Sequence, residues 1–578
     1  MSARRGVLIF LGLLTVLGGA VLLSALLVRR ASTVIPSAAV LVFNVPPELD
    51  ESEAPSSGYT MDIFRHDAPT TWQIVHGIRQ AAHDDGVEAM VLHIDGVDWG
   101  WATVAEVRDA LLEFRNAGKA LYASFTGGGE REYLLATAAP MVGAPPLAIL
   151  QLDGLTASAL FLRGTFDKLG VTPNFAHVGQ YKSGVEGFTH TEMSPAVREA
   201  LEALLDDEYQ LLLDSLGVAR GISADSVGRL IDEGPYGAEE AYALGLIDTV
   251  LYEVDMDSLA AVVGRARRNA VPFTRYLGQL PGSGRGPRIA LVLASGSIAS
   301  GHSRETPGEG RVLGSETLIK ALRQARSRNS VKAVVLRIDS PGGSAQASDE
   351  IWREVKRCRS AKPVIVSMSD VAASGGYYIA AAADSIVAHP GTITGSIGIY
   401  GGKLNILGLY HKLGLSVETV TRGRHAGMLS PYRDFTGEEA LRFQTQLESA
   451  YETFLSRVAE GRDMAPAAVD AVGQGRVWSG LDALEHGLVD ELGGIDRAFD
   501  LARSRAGIPD EAPIMVDVYP KVERTLLDRV LEGLFSDEGG DEALAALRLP
   551  PAVRAWIAAA RFPAGAALAL MPYTIEIR

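Results

Sequence analysis

The chain repeats itself. At an offset of 244 residues, Val87-Glu-Ala-Met-Val-Leu-His-Ile-Asp95 lies on Val331-Lys-Ala-Val-Val-Leu-Arg-Ile-Asp339. The register then holds without a gap to Gly179 on Gly423, with 23 identities over the 96 positions that pair 87–182 with 331–426. Farther on, Ala243-Leu-Gly-Leu-Ile-Asp248 matches Glu485-His-Gly-Leu-Val-Asp490 at an offset of 242. One long period with an ungapped match marks a duplicated domain, not a solenoid of short repeats. A chain of 578 residues is too long for one ordinary core, and the repeat says how it divides.

Each copy reads as α/β. Apolar, β-branched runs (Ala333 to Ile338, Pro363 to Met368, Ser385 to Ala388) alternate with helical patterns such as Ala347 to Arg359 and Glu438 to Gly461. Continuous apolar strands between helices imply a sheet covered on both faces. The expected layout is an apolar terminus over 1–30, a first copy over 37–270, a linker over 271–288, a second copy over 289–520 and an extension over 521–578. The linker centres on Pro281-Gly-Ser-Gly-Arg-Gly-Pro287, and the Gly- and charge-rich stretch Gly301 to Gly314 reads as a mobile surface loop.

The two copies serve as controls for each other. The second holds Asp370-Val-Ala-Ala-Ser-Gly-Gly-Tyr-Tyr-Ile-Ala380, where Ser374 precedes two glycines and an Ala-rich run. A helix beginning just after that serine turns free backbone N–H groups toward it, which suits a nucleophile whose reaction passes through an oxyanion. At the matching positions the first copy has Glu130-Arg131-Glu132. The glycine turn Ser340-Pro-Gly-Gly-Ser344 is likewise replaced by Gly96-Val-Asp-Trp-Gly100. Conversely, the first copy carries Lys182 where the second has Ala426. A serine needs a base at neutral pH, and a lysine serves when desolvation keeps it neutral. The complementary losses predict one composite Ser/Lys site per duplicated unit, closed either within one chain or across two.

Composition excludes other classes. A net charge of −16 is wrong for a nucleic-acid binder, and Arg265-Ala-Arg-Arg268 reads as a solvated helix end. The single Cys358 allows no internal disulfide and sits in a polar helical segment as a passive thiol. No Cys/His cluster has metal-ligand spacing and no phosphate-binding glycine pattern stands in a fitting context, so neither metal nor cofactor is expected. After Arg4-Arg5 the run Gly6 to Val28 is apolar save Thr15 and Ser24, and Arg29-Arg30 closes it. That length spans a bilayer as an uncleaved signal anchor, although the flanking arginines balance and leave its orientation open. The C-terminal run Phe562 to Met571 is too short for a second span and is expected to pack on the body or on a neighbouring subunit.

Asp339-Ser-Pro-Gly-Gly343, Ala373-Ser-Gly-Gly-Tyr-Tyr378, Gly391-Thr-Ile-Thr-Gly-Ser-Ile-Gly398 and Tyr181-Lys-Ser183 together resemble peptidase family S49 in its long, duplicated, signal-peptide-peptidase form. The resemblance covers nearly the whole chain. It implies a tandem ClpP/crotonase-like fold after an N-terminal transmembrane helix, and a membrane-bound serine protease that cleaves remnant signal peptides. It further implies Ser374 as nucleophile, Lys182 as general base, Gly343 and Gly375 as oxyanion-hole donors, and Ser396 as the serine that orients the lysine. An inner-membrane location with extracytoplasmic catalytic domains and a homo-oligomer, tetrameric by analogy, also follow only from the resemblance. Ala372, Ala373 and Ile397 suit either a groove for small or apolar side chains or the core. Three rivals stand beside this reading. One is a Ser-His-Asp protease using His389 or His425 with Asp339 or Asp370, although the first copy has Pro145 and Tyr181 at the histidine positions. The others are an acyl-CoA enzyme on the crotonase fold and a non-enzymatic membrane scaffold.

Overall fold

Both halves build the same parallel sheet. In the first, strands run in the order Thr249–Val250, Val142–Ala144, Ala120–Phe125, Val87–Ile94, Ala39–Asn44, Ala270–Pro272, every neighbour parallel. In the second the order is Val477–Trp478, Ile393–Gly395, Val364–Ala373, Val331–Ser340, Arg288–Ser295, Met515–Tyr519, parallel except at the Val477–Trp478 edge, with Ser385–Ala388 also pairing along Val364–Ala373 and Glu491–Leu492 along Ser385–Ala388. Parallel neighbours need long crossovers, which the intervening helices supply while covering both faces. The computed structural model describes residues 35–52, 69–263, 270–280, 286–306, 310–510, 512–521 and 567–571. The expected anchor 6–28, the basic run 265–268 and the linker centre 281–285 lie outside them. Among the described residues no helix is long and apolar enough to cross a membrane.

The duplication persists at the level of single hydrogen bonds. Tyr133 Oη donates to the Leu246 carbonyl at 2.6 Å, and Tyr377 Oη donates to that of Leu488 at 2.8 Å. Asp248 accepts from Val142 N (2.8 Å) and Arg220 (3.0 Å); Asp490 accepts from Ile386 N (2.7 Å) and Arg462 (2.8 and 2.7 Å). These partners stand at the same offsets as the sequence repeat, so the two copies share a packing solution as well as a pattern.

The copies are joined by a buried polar latch. Arg337 is 1% exposed. It donates to Glu51 at 3.0 and 2.8 Å and to Glu106 at 2.5 Å, and also reaches Ser367, Ser369 and the Met368 carbonyl. Glu106 in turn accepts the N–H of Ile495, at the start of the second-copy helix Ile495–Arg505. Reciprocally, Asp370 of the second copy accepts from Thr103 N (2.8 Å) and Oγ1 (2.7 Å), in the first turn of the first-copy helix Trp101–Asn116. Carboxylates at helix N-termini satisfy orphan N–H groups, and here each copy does so for the other.

A third sheet draws on both copies. Its order is Arg304–Thr306, Gly310–Gly314, Ser297–Ala299, Gly342–Ser344, Leu568–Leu570, Ile399–Asn405, Thr172–Val178. Thr172–Val178 belongs to the first copy and runs antiparallel to Ile399–Asn405 over seven residue pairs. The positions that match these two strands by the 244 offset, 155–161 and 416–422, form no strand. Each copy has thus kept one half of a joint ribbon.

Two segments differ from the sequence reading, and a third takes one of its two expected places. The expected loop Gly301 to Gly314 contains the antiparallel arms Arg304–Thr306 and Gly310–Gly314. Burial of Val312 and Leu313, with Arg311 held by Asp50 and Ser52, orders what composition alone marks as loop. Within the expected linker 271–288, Ala270–Pro272 is an edge strand on Ala39–Asn44, and the helix Phe273–Leu277 follows it with Phe273 and Tyr276 buried. Of the C-terminal apolar run, the described residues 567–571 pack on the body of their own chain, with Leu568–Leu570 as a strand.

Candidate active site

Strand Val364–Ala373 ends at Ser374, whose backbone takes φ 55° and ψ −110°. A non-glycine residue held there costs on the order of 1–3 kcal/mol and persists only where its surroundings fix it. The fixing bonds are Ser374 N to the Gly395 carbonyl and Tyr378 N to the Ser374 carbonyl, both 2.8 Å. The second of these opens the short helix Gly375–Ala380. A Cβ at Gly376 would lie 2.8 Å from the Ser340 carbonyl, so only glycine lets this turn pack on the strand below.

Lys182 arrives from the other copy. It follows strand Thr172–Val178 through Gly179, and Tyr181 N donates to the Gln474 carbonyl at 2.8 Å. A Cβ on Gly475 would lie 2.4 Å from Lys182 N, and one on Gly398 would lie 2.9 Å from its Cδ. The lysine stem therefore runs in a slot between two second-copy glycines. Its Nζ donates to Ser374 Oγ at 2.7 Å, to the Ser396 carbonyl at 2.8 Å and to Ser396 Oγ at 2.9 Å. All three acceptors are uncharged, and both Lys182 and Ser374 are 0% exposed. Burial without a counter-charge drives the amine well below its ordinary pKa. Ser396 is itself held at φ 51°, with its N–H on the Arg476 carbonyl at 2.7 Å.

Gly343 and Gly375 come together beside the serine, through a neighbour. Gly342 adopts φ +96°, and a Cβ there would strike Gly375 N at 2.6 Å. The turn is fixed by Ser340 Oγ, which accepts from Gly342 N at 3.1 Å and donates to the Gly296 carbonyl at 2.7 Å. A Cβ on Gly343 would lie 2.0 Å from the Ile298 carbonyl. The five candidate residues, Ser374, Lys182, Ser396, Gly343 and Gly375, thus converge on one place, and the lysine and serine meet within a single chain. An amine of lowered pKa against a hydroxyl, with backbone N–H groups of a glycine turn close by, is chemically equipped for acyl transfer.

The rival residues lie elsewhere. His389 Nε2 faces Asp109 at 3.9 Å, and its burial lowers its pKa to about 4. His425 packs by Glu438 at 3.4 Å. Asp370 serves the first-copy helix, and Asp339 accepts Val371 N at 3.2 Å. Neither histidine hydrogen-bonds Ser374, whose side chain is partnered by Lys182. Cys358 is buried in helix Ala345–Arg359, with burial raising its thiol to about 11.

The equivalent place in the first copy is filled. Glu130, at the serine position, accepts from Asp153 N (2.9 Å) and Gly154 N (2.7 Å), and Glu132 accepts from Val97 N (2.6 Å) and Gly129 N (3.0 Å). Two carboxylates stitch together backbone groups there, so that copy has exchanged a reactive turn for a structural one. Sequence reasoning missed the slot glycine Gly475 altogether; Gly398 and Gly342 lay inside quoted motifs, yet no spacing rule gave them a role.

Comparison with known proteins places this geometry. The model of peptidase family S49 matches residues 113–262 and 356–508, one match in each copy, and that of Clp protease matches 312–391. The chain is 36% identical over 474 residues to the chloroplastic serine protease SPPA of Arabidopsis thaliana, covering 80% of this chain and 70% of that one. It is 34% identical over 461 residues to protease 4 of Haemophilus influenzae, covering 75% and 72%. Over 200 residues it is 36% identical to a putative signal peptide peptidase SppA of Enterococcus faecium, covering 34% and 58%. With one family match in each copy and relatives aligned over most of its length, the chain belongs to peptidase family S49, among the protease 4 and signal peptide peptidase A proteins, and is a serine peptidase.

Proposed function

We propose that the chain is a Ser/Lys endopeptidase of the membrane that degrades remnant signal peptides. The observation that carries the reading is the 2.7 Å contact between Lys182 Nζ and Ser374 Oγ, made by an amine whose pKa burial pushes well below the ordinary lysine value. Neutral Lys182 takes the Ser374 proton as the hydroxyl oxygen attacks a peptide carbonyl carbon. The tetrahedral oxyanion is stabilised by the N–H groups of Gly343 and Gly375. Lysine then passes the proton to the departing amine, leaving an acyl ester on Ser374. A water molecule, deprotonated by the same amine, attacks that ester, and the serine regains its proton. Ser396 orients the lysine by accepting from it through both its carbonyl and its hydroxyl.

Residues 6–28 hold the chain in the inner membrane in this reading, with the catalytic copies on the extracytoplasmic side. Assembly as a homo-oligomer, a tetramer by analogy, belongs to the same proposal. Hydrolysis of a chromogenic signal-peptide fragment by detergent-solubilised protein tests it, comparing wild type with Ser374→Ala and Lys182→Ala at matched folding. Loss of turnover in both variants supports the dyad. Retention in Lys182→Ala moves the base elsewhere, and inert wild type favours a scaffold.

A further inference from the structure

One arginine holds on to both halves of the Ser/Lys pair. Arg476 stands between the slot glycine Gly475 and the strand Val477–Trp478, which pairs antiparallel with Ile393–Gly395, the strand that leads into Ser396. Its carbonyl accepts the N–H of Ser396 at 2.7 Å, and Gly475 N donates to the Ile397 carbonyl at 2.8 Å. The main chain at 475–476 thereby fixes the φ 51° turn that presents Ser396 to the lysine.

The side chain of Arg476 reaches into the other copy. Its Nη1 donates to Glu199 at 2.6 Å, near the start of the first-copy helix Pro195–Arg220, and to Tyr181 Oη at 3.3 Å. Tyr181 is the residue before Lys182, and its hydroxyl also donates to Glu199 at 3.3 Å. The guanidinium lies over the Tyr181 ring at 5.1 Å and over the Trp478 ring at 4.3 Å, one aromatic of each copy. A planar guanidinium can stack on rings while its edge donates to a carboxylate, so these partners together leave it one orientation.

These partners are divided between the copies as the serine and lysine are. Tyr181 aligns with His425 at the offset of 244. Glu199 aligns with Leu441 at 242, the offset that also superposes the helices Pro195–Arg220 and Gly437–Arg462. Arg476 aligns at 242 with Gly234. Strand pairing agrees with that register, since Leu150 with Tyr236 in the first copy stands for Thr394 with Trp478 in the second. A Cβ on Gly234 would lie 1.9 Å from the Leu152 carbonyl, so the first copy has no room for a side chain there. The copy without the serine lacks the arginine, and the copy without the lysine lacks the tyrosine and the carboxylate.

We propose that Arg476 is a positioning residue for the peptidase reaction, a clamp across the two copies that sets the contact of Lys182 with Ser374 and keeps water from the amine. The proposal rests on the reading of Lys182 and Ser374 as the catalytic pair. Arg476 acts through Tyr181 on one side and Ser396 on the other. The amine itself donates only to Ser374 Oγ and to the carbonyl and hydroxyl of Ser396, none of them charged. Besides Glu199, the Arg476 charge acts on Asp482, whose carboxyl pKa burial raises and this cation lowers.

The test uses the full chain in detergent. Arg476→Ala is expected to lower kcat for a chromogenic peptide by about ten- to hundredfold, with KM within about twofold of wild type. It is also expected to move the acidic limb of kcat to higher pH, because an amine reached by water regains its ordinary basicity. Arg476→Lys keeps the charge without the stacking and is expected to fall between wild type and Arg476→Ala. Glu199→Ala separates position from charge. Removing a carboxylate would by charge alone make the amine less basic and move the limb to lower pH, whereas loosening the clamp moves it to higher pH, the expected result.

Labelling of Ser374 by a small alkyl fluorophosphonate, followed by intact mass spectrometry, reads the same limb without peptide turnover. Oγ bonds to phosphorus as fluoride leaves, and the Oγ proton passes to the amine. A limb shifted upward in labelling, with no peptide hydrolysis in any variant, would keep the clamp and sink the peptidase reading. Hydrolysis by wild type with an unmoved limb in Arg476→Ala, including a uniform loss at every pH, would overturn the clamp and keep that reading. Wild type that neither hydrolyses nor labels would overturn both. Should Arg476→Ala not fold, Glu199→Ala decides, since that side chain is exposed: a limb unmoved or at lower pH overturns the clamp.

Discussion

Lys182 Nζ lies 2.7 Å from Ser374 Oγ, although 192 residues and the boundary between two homologous copies separate them. The antiparallel pairing of Thr172–Val178 with Ile399–Asn405 delivers the lysine, and the strained turn after Val364–Ala373 presents the serine. Neither copy contains both groups, so the duplicated chain is the smallest unit with a complete centre.

Substituting Lys182 by Arg is expected to abolish peptide turnover as fully as Lys182→Ala, by about 10⁴-fold or more. Guanidinium stays charged and cannot accept the serine proton. Steady-state kinetics at saturating peptide check this; an active Lys182→Arg enzyme would contradict a neutral-amine base.

Activity is expected to rise with pH, because the competent form of Lys182 is the unprotonated one. The same group sets a stability trend. Its folded-state pKa is below the unfolded 10.5, so between the two values the unfolded chain binds the extra proton and stability increases with pH. Wild type compared with Lys182→Met in denaturant titrations across alkaline pH is expected to show a positive slope in wild type only.

Ser396→Ala removes one of three acceptors on the amine. Loss of one such bond, about 1–1.5 kcal/mol, corresponds to about a tenfold fall in kcat with KM little changed. Because the hydroxyl positions the base, the pH limb of kcat is expected to move as well. A lower kcat with an unmoved pH profile would assign Ser396 to structure alone.

The latch predicts a stability defect far from the serine. Arg337→Met leaves Glu51 and Glu106 buried without a counter-charge and is expected to cost about 3–5 kcal/mol at neutral pH. Burial alone would raise the Glu51 pKa, yet the Arg337 charge and hydrogen bonds hold it below the ordinary value. In wild type this contribution is therefore present above the unfolded carboxylate pKa and lost as pH falls through the lowered one. The variant is expected to reverse that trend and gain stability on acidification, measured by denaturant unfolding at pH 7 and pH 5.

The sequence by itself determined the duplication, the α/β alternation and the division of chemistry between the copies. These are local properties: apolar runs with the period of strands and helices, and the presence of Ser374 in one register and Lys182 in the other. The repeat's offsets even mark equivalent hydrogen bonds, 244 for the donors Tyr133 and Tyr377 and 242 for their acceptors Leu246 and Leu488. Tertiary structure alone decided that the lysine and serine meet inside one chain, because that contact depends on a strand of one copy pairing with a strand of the other. It alone showed the slot of Gly398 and Gly475 that excludes water from the amine, since a glycine's value there lies in what approaches it. It also turned the Gly- and charge-rich stretch at 301–314 into paired arms, through burial of Val312 and Leu313 that composition does not reveal. The tail run was visible as apolar but carried no address. Its place between Gly342–Ser344 and Ile399–Asn405 is set by backbone pairing, which any sequence of suitable size can satisfy and no side-chain pattern announces.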